Sequence, residues 1–160
     1  MALVYVGLGS NIDPEKNLRL GVDELRRRYG DVVVSRVYRN AAVGFEGADF
    51  LNLVAGFRSN EEPGEINRQI EQIHDLVGRE RGDERFAARA LDIDLLLYDD
   101  LVSNDPPLPR ADVLEYSFVL RPLAEIAPDL VHPVTGRRMA DHWQECDPDR
   151  HPLTLVDVIL

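Results

Sequence analysis

The chain contains one cysteine, Cys146, in 160 residues. An internal disulfide is therefore excluded, as is a metal centre built on several thiolates, and a reducing compartment is the natural setting. No stretch reaches the roughly 18 consecutive apolar residues that a membrane-spanning helix needs. The opening Met1-Ala2-Leu3-Val4-Tyr5-Val6 lacks the basic start and apolar core of a secretory signal. A cytoplasmic protein with no membrane partner is expected. Positive charge is scarce as well: 18 Lys and Arg against 29 Asp and Glu leave a formal net charge of -11. Nucleic acid is disfavoured as a partner, because displacing counterions from a phosphate backbone takes clustered positive charge. The stretch Gly7-Leu8-Gly9-Ser10-Asn11 lacks the G-x-x-x-x-G-K-[ST] spacing of a phosphate loop and reads as a tight strand-to-helix turn. No linker or repeat divides the chain. With 44% hydrophobic and 29% charged residues it suits one globular domain over residues 1–160.

What the chain does contain is concentrated in Arg85-Phe86-Ala87-Ala88-Arg89-Ala90-Leu91-Asp92-Ile93-Asp94-Leu95-Leu96. Side chains two apart on a strand share a face, so Asp92 and Asp94 point together while Ile93, Leu95 and Leu97 point to the opposite, core-facing side. Adjacent carboxylates repel. A hard divalent cation such as Mg²⁺ removes the repulsion and favours carboxylate oxygens together with substrate phosphates, which makes nucleotide-dependent phosphoryl chemistry the natural reading. Arg79, Arg81, Arg85 and Arg89 offer a locally basic approach for an anionic nucleotide. Taken without the aspartates, the same segment reads equally as a solvated charged loop, since Glu80, Asp83 and Glu84 are interleaved.

Around this segment the pattern alternates between strand and helix. Leu3 to Leu8 forms a first strand, and Asp13 as cap with Pro14 at the first position opens a helix carrying Leu18, Val22, Leu25 and Tyr29 at helical spacing until Gly30. Val32 to Tyr38 and Phe50 to Phe57 read as strands joined by a functional loop, Arg39 to Asp49. A second helix starts near Pro63, turns Ile66, Ile70, Ile73 and Val77 inward and ends at Gly78. After the loop Arg79 to Ala90 comes the strand Leu91 to Tyr98. A proline-rich connection then leads to a helix over Phe118 to Ile126. The expected fold is α+β, a ferredoxin-like sandwich with a mainly antiparallel central sheet and helices on its faces.

The segment Arg85 to Leu96 resembles the signature of the 6-hydroxymethyl-7,8-dihydropterin pyrophosphokinases of folate synthesis, which runs basic-x-small-small-Arg-x-x-Asp-aliphatic-Asp-aliphatic-aliphatic. Further matches keep their order: Gly9-Ser10-Asn11, Tyr38-Arg39 with Gly44, Phe50-Leu51-Asn52, Gly78-Arg79, and Phe118 to Pro128. The resemblance implies ATP as co-substrate and transfer of its terminal pyrophosphoryl unit to the pterin hydroxymethyl group, giving AMP. It assigns two Mg²⁺ ions to Asp92 and Asp94. Arg79 and Arg89 correspond to catalytic-loop arginines, and Arg81, Arg85, Phe86, Ile93 and Arg110 complete the expected ATP contacts. For the pterin it implies Asn40, Ala41, Val43, Phe50, Asn52 and Phe118. Phe50 and Asn52 share one strand face, which sets an apolar surface beside an amide that both donates and accepts. Read in isolation Phe118 is a core aromatic, and only the surrounding motif makes it a stacking platform. The partners expected are ATP and a small pterin, and the chain is expected to be a monomer. The loops 39–49 and 78–90 are expected to close when both ligands are present.

Several positions depart from that pattern. Arg110 stands where the family usually has His, His74 where a Glu is usual, Phe86 for a Trp, Gly82 for a Lys and Tyr116 for an Arg, while Ala41-Ala42 replace Pro-Pro. His74 is expected to be a solvated or capped helix residue, forming no ligand pattern with His132, His142 and His151. These departures leave open a divergent relative that acts on another pterin or binds without turnover. A metal-dependent nuclease is poorly served, since it would want more acidic ligands and a basic track.

Overall fold

The computed structural model describes residues 1–44, 46–78, 90–147, 149–158 and 160. Its first strand, β1 (Ala2–Ser10), is an inner strand of the sheet and runs on through Gly7 and Gly9 as extended chain, so the glycines lie within the strand and not in a turn as the sequence suggested. The physical reason is its two neighbours. Helix α1 (Pro14–Tyr29) follows, then the short strands β2 (Val33–Val34) and β3 (Val37–Asn40), the long strand β4 (Phe50–Ser59) and helix α2 (Pro63–Gly78). Strand β5 (Asp92–Tyr98) and the two-residue strands β6 (Ser103–Asn104) and β7 (Pro107–Leu108) lead to α3 (Asp112–Glu115) and α4 (Ser117–Ile126). Helix α5 (Met139–Glu145) and strand β8 (Thr154–Val156) complete the chain. Among the described residues the main sheet has the order β5-β1-β4-β3-β8, with β2 also on β4. Each pairing in it is antiparallel. The architecture is the α+β, ferredoxin-like sandwich that the sequence suggested.

Alternation along the strands divides the interior in two. Val4, Val6 and Leu8 of β1 and Leu51, Leu53, Ala55 and Phe57 of β4 face Leu18, Val22 and Leu25 of α1 and Ile66, Ile70, Ile73 and Val77 of α2. The intervening residues Tyr5 and Val54 face Val119, Leu120 and Leu123 of α4 and Met139 of α5. Leu97 joins this second cluster and not the first, contrary to simple alternation from Ile93 and Leu95. The register between β1 and β5 passes from Val6↔Leu95 to Tyr5↔Leu97, so Leu96 is the extra residue of a bulge that re-aims the side chains beyond it.

Two local expectations are corrected. Asp13 does precede α1, yet it adopts left-handed geometry at φ 40° and makes no side-chain cap bond; the Asn17 amide instead donates to the Ile12 carbonyl at 2.6 Å. The predicted strand Val32 to Tyr38 is broken at Ser35, whose buried hydroxyl accepts the Val54 N–H at 3.0 Å and donates to the Arg36 carbonyl at 2.8 Å. A polar side chain has taken over one rung of the ladder, and the strand is split around it.

On the other sheet face, Glu125 ties α4 to β3. Its carboxylate accepts the Tyr38 hydroxyl at 2.5 Å, the Arg36 N–H at 2.9 Å and Arg36 Nε at 3.1 Å. Burial alone would push the Glu125 carboxyl up, but these hydrogen bonds outweigh it and hold it below its ordinary value. Arg121 adds a guanidinium stacked 4.7 Å from the centre of the buried Tyr38 ring. Replacing Ser35 by Ala should cost about 1–3 kcal/mol in a urea titration, because the buried Val54 N–H loses its acceptor. A change within error would show that the backbone re-pairs without it.

Candidate active site

On the face carrying α4, the sheet is left bare at one end because Gly7 and Gly9 have no side chains to fill it. A cavity of about 240 Å³ opens there. Its floor is Gly7 and Gly9 of β1 and Phe50 and Asn52 of β4, and Asp92 and Asp94 of β5 stand at one side. Asn40, Val43, Asp112, Tyr116, Phe118 and Val119 enclose the rest. A larger groove of about 1010 Å³ lies along α1, lined among the described residues by side chains of mixed sign such as Asp13, Lys16, Arg19 and Arg39 and by no aromatic ring. The smaller cavity is the one with a distinct chemistry.

One end of it is amide and aromatic. The Asn52 side-chain N–H donates to Asn40 Oδ1, and Asn40 Nδ2 donates to the Ala41 carbonyl at 2.9 Å, which fixes both buried amides. A Cβ on Gly9 would sit 2.6 Å from Asn52 Oδ1, so this close approach needs glycine. Phe118 lies against Tyr116 with ring centres 4.9 Å apart and planes inclined by 20°, and His151 contacts both rings at 5.4 and 6.2 Å. Tyr116 follows the short α3, which delivers the ring to the cavity wall.

The other end is acidic. Asp92 and Asp94 alternate with Ile93, which is buried in the core on the opposite sheet face. Asp112, at the start of α3, brings a third carboxylate to the same cavity. Arg110 pairs with Asp94 at 3.7 Å and with Asp112 at 3.3 Å, and its backbone N–H donates to the Leu96 carbonyl at 2.9 Å. Burial pushes the Asp94 carboxyl above its ordinary value, Arg110 opposes this, and Asp92 and Asp112 add to it. Carboxylates gathered in this way have a use for a cation. Among the described residues no group of three or more His, Cys, Asp or Glu would hold a metal by itself. Asp92 and Asp94 nonetheless fit Mg²⁺, which is bound through one or two carboxylates together with substrate phosphates.

Helix α2 supplies the backing for this strand. His74 is half-buried, and its Nε2 accepts the Ile93 N–H at 2.9 Å, between the two aspartates. The sequence expectation of a solvated or capped His74 is therefore corrected: an edge strand presents unpaired N–H groups, and this ring satisfies one of them.

Of the residues expected in the site, Asn40, Val43, Phe50, Asn52, Asp92, Asp94 and Phe118 line the one cavity. Ala41 contributes its carbonyl to Asn40. Ile93 presents neither a side chain nor an N–H to the cavity, since the first is in the core and the second is held by His74. Arg79, Arg81, Arg85, Phe86 and Arg89 lie outside the described residues. Sequence reasoning missed Asp112 as a lining residue and treated Tyr116 only as a departure. The spacing Arg110-x-Asp112 within a proline-rich connection was the available signal for the first.

The family model for 7,8-dihydro-6-hydroxymethylpterin-pyrophosphokinase (HPPK) matches residues 5–128, which takes in the cavity from Gly7 to Val119. The chain belongs to this family. It is similar to the 2-amino-4-hydroxy-6-hydroxymethyldihydropteridine pyrophosphokinase of Aquifex aeolicus, 36% identical over 151 residues, or 91% of this chain and 92% of that protein. The protein of the same name from Methylorubrum extorquens is 36% identical over 154 residues, covering 92% and 96%. Among solved structures, the crystal structure of Plasmodium falciparum HPPK-DHPS with pterin and p-hydroxybenzoate superposes with a TM-score of 0.73 at 12% identity. That match covers 90% of this chain and 43% of the Plasmodium chain, and it speaks to the HPPK fold.

The raised Asp94 carboxyl gives a stability test with a definite sign. Its favourable contribution is present below the ordinary value of 3.8 and is lost as pH rises through the higher folded-state value. Asp94→Asn should therefore raise the Tm of the metal-free protein at pH 7, with the gain shrinking toward pH 3.8. The side chain is 44% exposed, so the effect is small. A lowered Tm at pH 7 would mean that the Arg110 pair outweighs burial.

Proposed function

We propose that this HPPK-family chain transfers the terminal pyrophosphoryl unit of ATP to the hydroxymethyl group of 6-hydroxymethyl-7,8-dihydropterin, releasing AMP, as a step of folate biosynthesis. The observation that carries the reading is the meeting, in one cavity, of a paired amide and aromatic end with a carboxylate end. A pterin is a flat heterocycle with donors and acceptors along one edge and a hydroxymethyl substituent. Seated against the Asn40–Asn52 pair and the Phe118 ring, it would direct that substituent toward Asp92 and Asp94. The names of the Aquifex and Methylorubrum relatives agree with this substrate.

The work is divided among the lining residues. Asn40 and Asn52 hold the pterin edge, with Gly9 leaving room for the Asn52 amide. Phe118 stacks on the ring with Tyr116 behind it, aromatic pairs being worth about 0.5–1.5 kcal/mol beyond area burial. Asp92 and Asp94 would hold two Mg²⁺ ions, which when bound supply Lewis-acid stabilisation of the charge on the phosphate oxygens. The hydroxyl oxygen attacks the β-phosphorus and gives up its proton to water, the bond from that phosphorus to the α,β-bridging oxygen breaks, and AMP leaves. Phosphoryl transfer of this kind rests on positioning and charge stabilisation. His74 positions the aspartates through the Ile93 backbone. Arg110 offers a cation to the nucleotide, and it cannot serve as an acid because a guanidinium does not release its proton. Arg79, Arg81, Arg85, Phe86 and Arg89 would complete the nucleotide side. We take the working unit to be a cytoplasmic monomer of one domain.

A divergent relative that acts on another pterin is not favoured, because the departures at Arg110, His74 and Tyr116 leave an aromatic wall, a cation and a backed aspartate strand in place. Asp92→Ala should reduce pterin-dependent AMP release from ATP and Mg²⁺ by about a thousandfold or more, with the circular dichroism spectrum kept. Undiminished turnover would remove Asp92 from the mechanism. Gly9→Ala should weaken pterin binding about tenfold or more in calorimetry, since the added methyl displaces the Asn52 amide and leaves its hydrogen bonds unmade. Equal affinity would sever that amide from the pterin.

A further inference from the structure

The carboxylate end of the cavity already contains a cation, and its placement has consequences for metal loading. Arg110 lies between two of the three carboxylates, 3.3 Å from Asp112 and 3.7 Å from Asp94, while its backbone is fastened to Leu96 two residues beyond Asp94. The contact to Asp112 is the shorter. Neither is a hydrogen bond, since the buried Arg110 Nε has no hydrogen-bond partner and the Asp94 contact is too long for one. The guanidinium is thus held by charge alone, and its looser contact is the one to Asp94.

We propose that Arg110 acts as a resident counter-cation for Asp94 in the nucleotide-free protein, and that it hands Asp94 over to a divalent metal only when the nucleotide phosphates arrive to receive the guanidinium. This rests on the reading that Asp92 and Asp94 are metal ligands. Magnesium requires its oxygens at about 2.0–2.1 Å. A metal that close to an Asp94 oxygen and a guanidinium 3.7 Å from the same oxygen repel each other. One must leave. A histidine at this position could become neutral and lower the conflict; an arginine keeps its charge at every physiological pH. The polyphosphate removes the conflict by giving the guanidinium a second anionic partner of matching fork geometry. Metal binding without nucleotide is therefore suppressed, and metal and nucleotide bind with positive coupling through Arg110.

The test uses the full chain and Mn²⁺ as the probe, with bound and free ion separated by electron paramagnetic resonance. Arg110→Gln should bind Mn²⁺ about tenfold more tightly than the natural chain when no nucleotide is present, because a repelling charge beside the site is gone. With a non-hydrolysable ATP analogue present, the natural chain should gain Mn²⁺ affinity strongly and Arg110→Gln much less. Asp94→Asn serves as the control and should lose Mn²⁺ in either state. Equal Mn²⁺ affinity of the natural chain and Arg110→Gln without nucleotide, with Asp94→Asn still defective, would overturn the inference while leaving the carboxylates as ligands. Mn²⁺ binding indifferent to Asp94→Asn in both states would overturn the carboxylate reading and the inference together.

Discussion

The site depends on one constraint, the two-residue alternation of β1 between its neighbours β4 and β5. Because β1 is paired on both edges, its side chains can point only up or down. Val4, Val6 and Leu8 fill the lower face against α1 and α2, and that burial fixes the register, since a slip of one residue would turn every apolar group out. Tyr5, Gly7 and Gly9 are then obliged to occupy the upper face. Tyr5 packs under α4, and the two glycines leave the floor of the cavity. The neighbouring strands obey the same rule: Phe50 and Asn52 of β4 and Asp92 and Asp94 of β5 point upward because Leu51, Leu53, Ile93 and Leu95 point down.

Electrostatics gives that floor its character. The chain is strongly acidic, and among the described residues the three carboxylates at the cavity face Arg110, with His74 behind the strand that bears two of them. Each of these two basic side chains has a different task. His74 accepts a backbone N–H, a role that requires a bare ring nitrogen at Nε2, and so it holds the strand that carries the aspartates. Arg110 answers the carboxylates directly. With one guanidinium against three carboxylates, the described part of the cavity keeps a net negative charge. Salt screens distant charges within about 8–10 Å, so the groups beside the cavity decide its field.

Much was legible in the chain before any fold was known. The strand carrying Asp92 and Asp94, the helical stripes of α1 and α2 and the helix beginning near Phe118 are strongly periodic, and period is set by local geometry. What escaped was decided by partners distant in sequence. The split at Ser35 exists because Val54 offers an N–H there, and the bulge at Leu96 is the place where the register of β5 against β1 shifts by one residue. Strand β8 is three residues long and exists only through its pairing with β3. The role of His74 depends on β5 lying at the sheet edge, which no pattern within α2 announces.

By itself the sequence determined the chemical types and their local faces: two carboxylates on one side of a strand, an amide beside an aromatic on another, and the motif order that resembles the HPPK family. Those features rest on spacings of two or of three to four residues, which the backbone enforces over a few bonds. The tertiary structure decided which of these faces meet. It brought Asn40, Asn52, Phe118, Asp92 and Asp94 around one cavity, added Asp112 and Tyr116, sent Ile93 into the core and set Arg110 against Asp94. Such meetings join residues tens of positions apart, and they are fixed by how the sheet is ordered and where the helices pack, which depends on the burial of the whole chain.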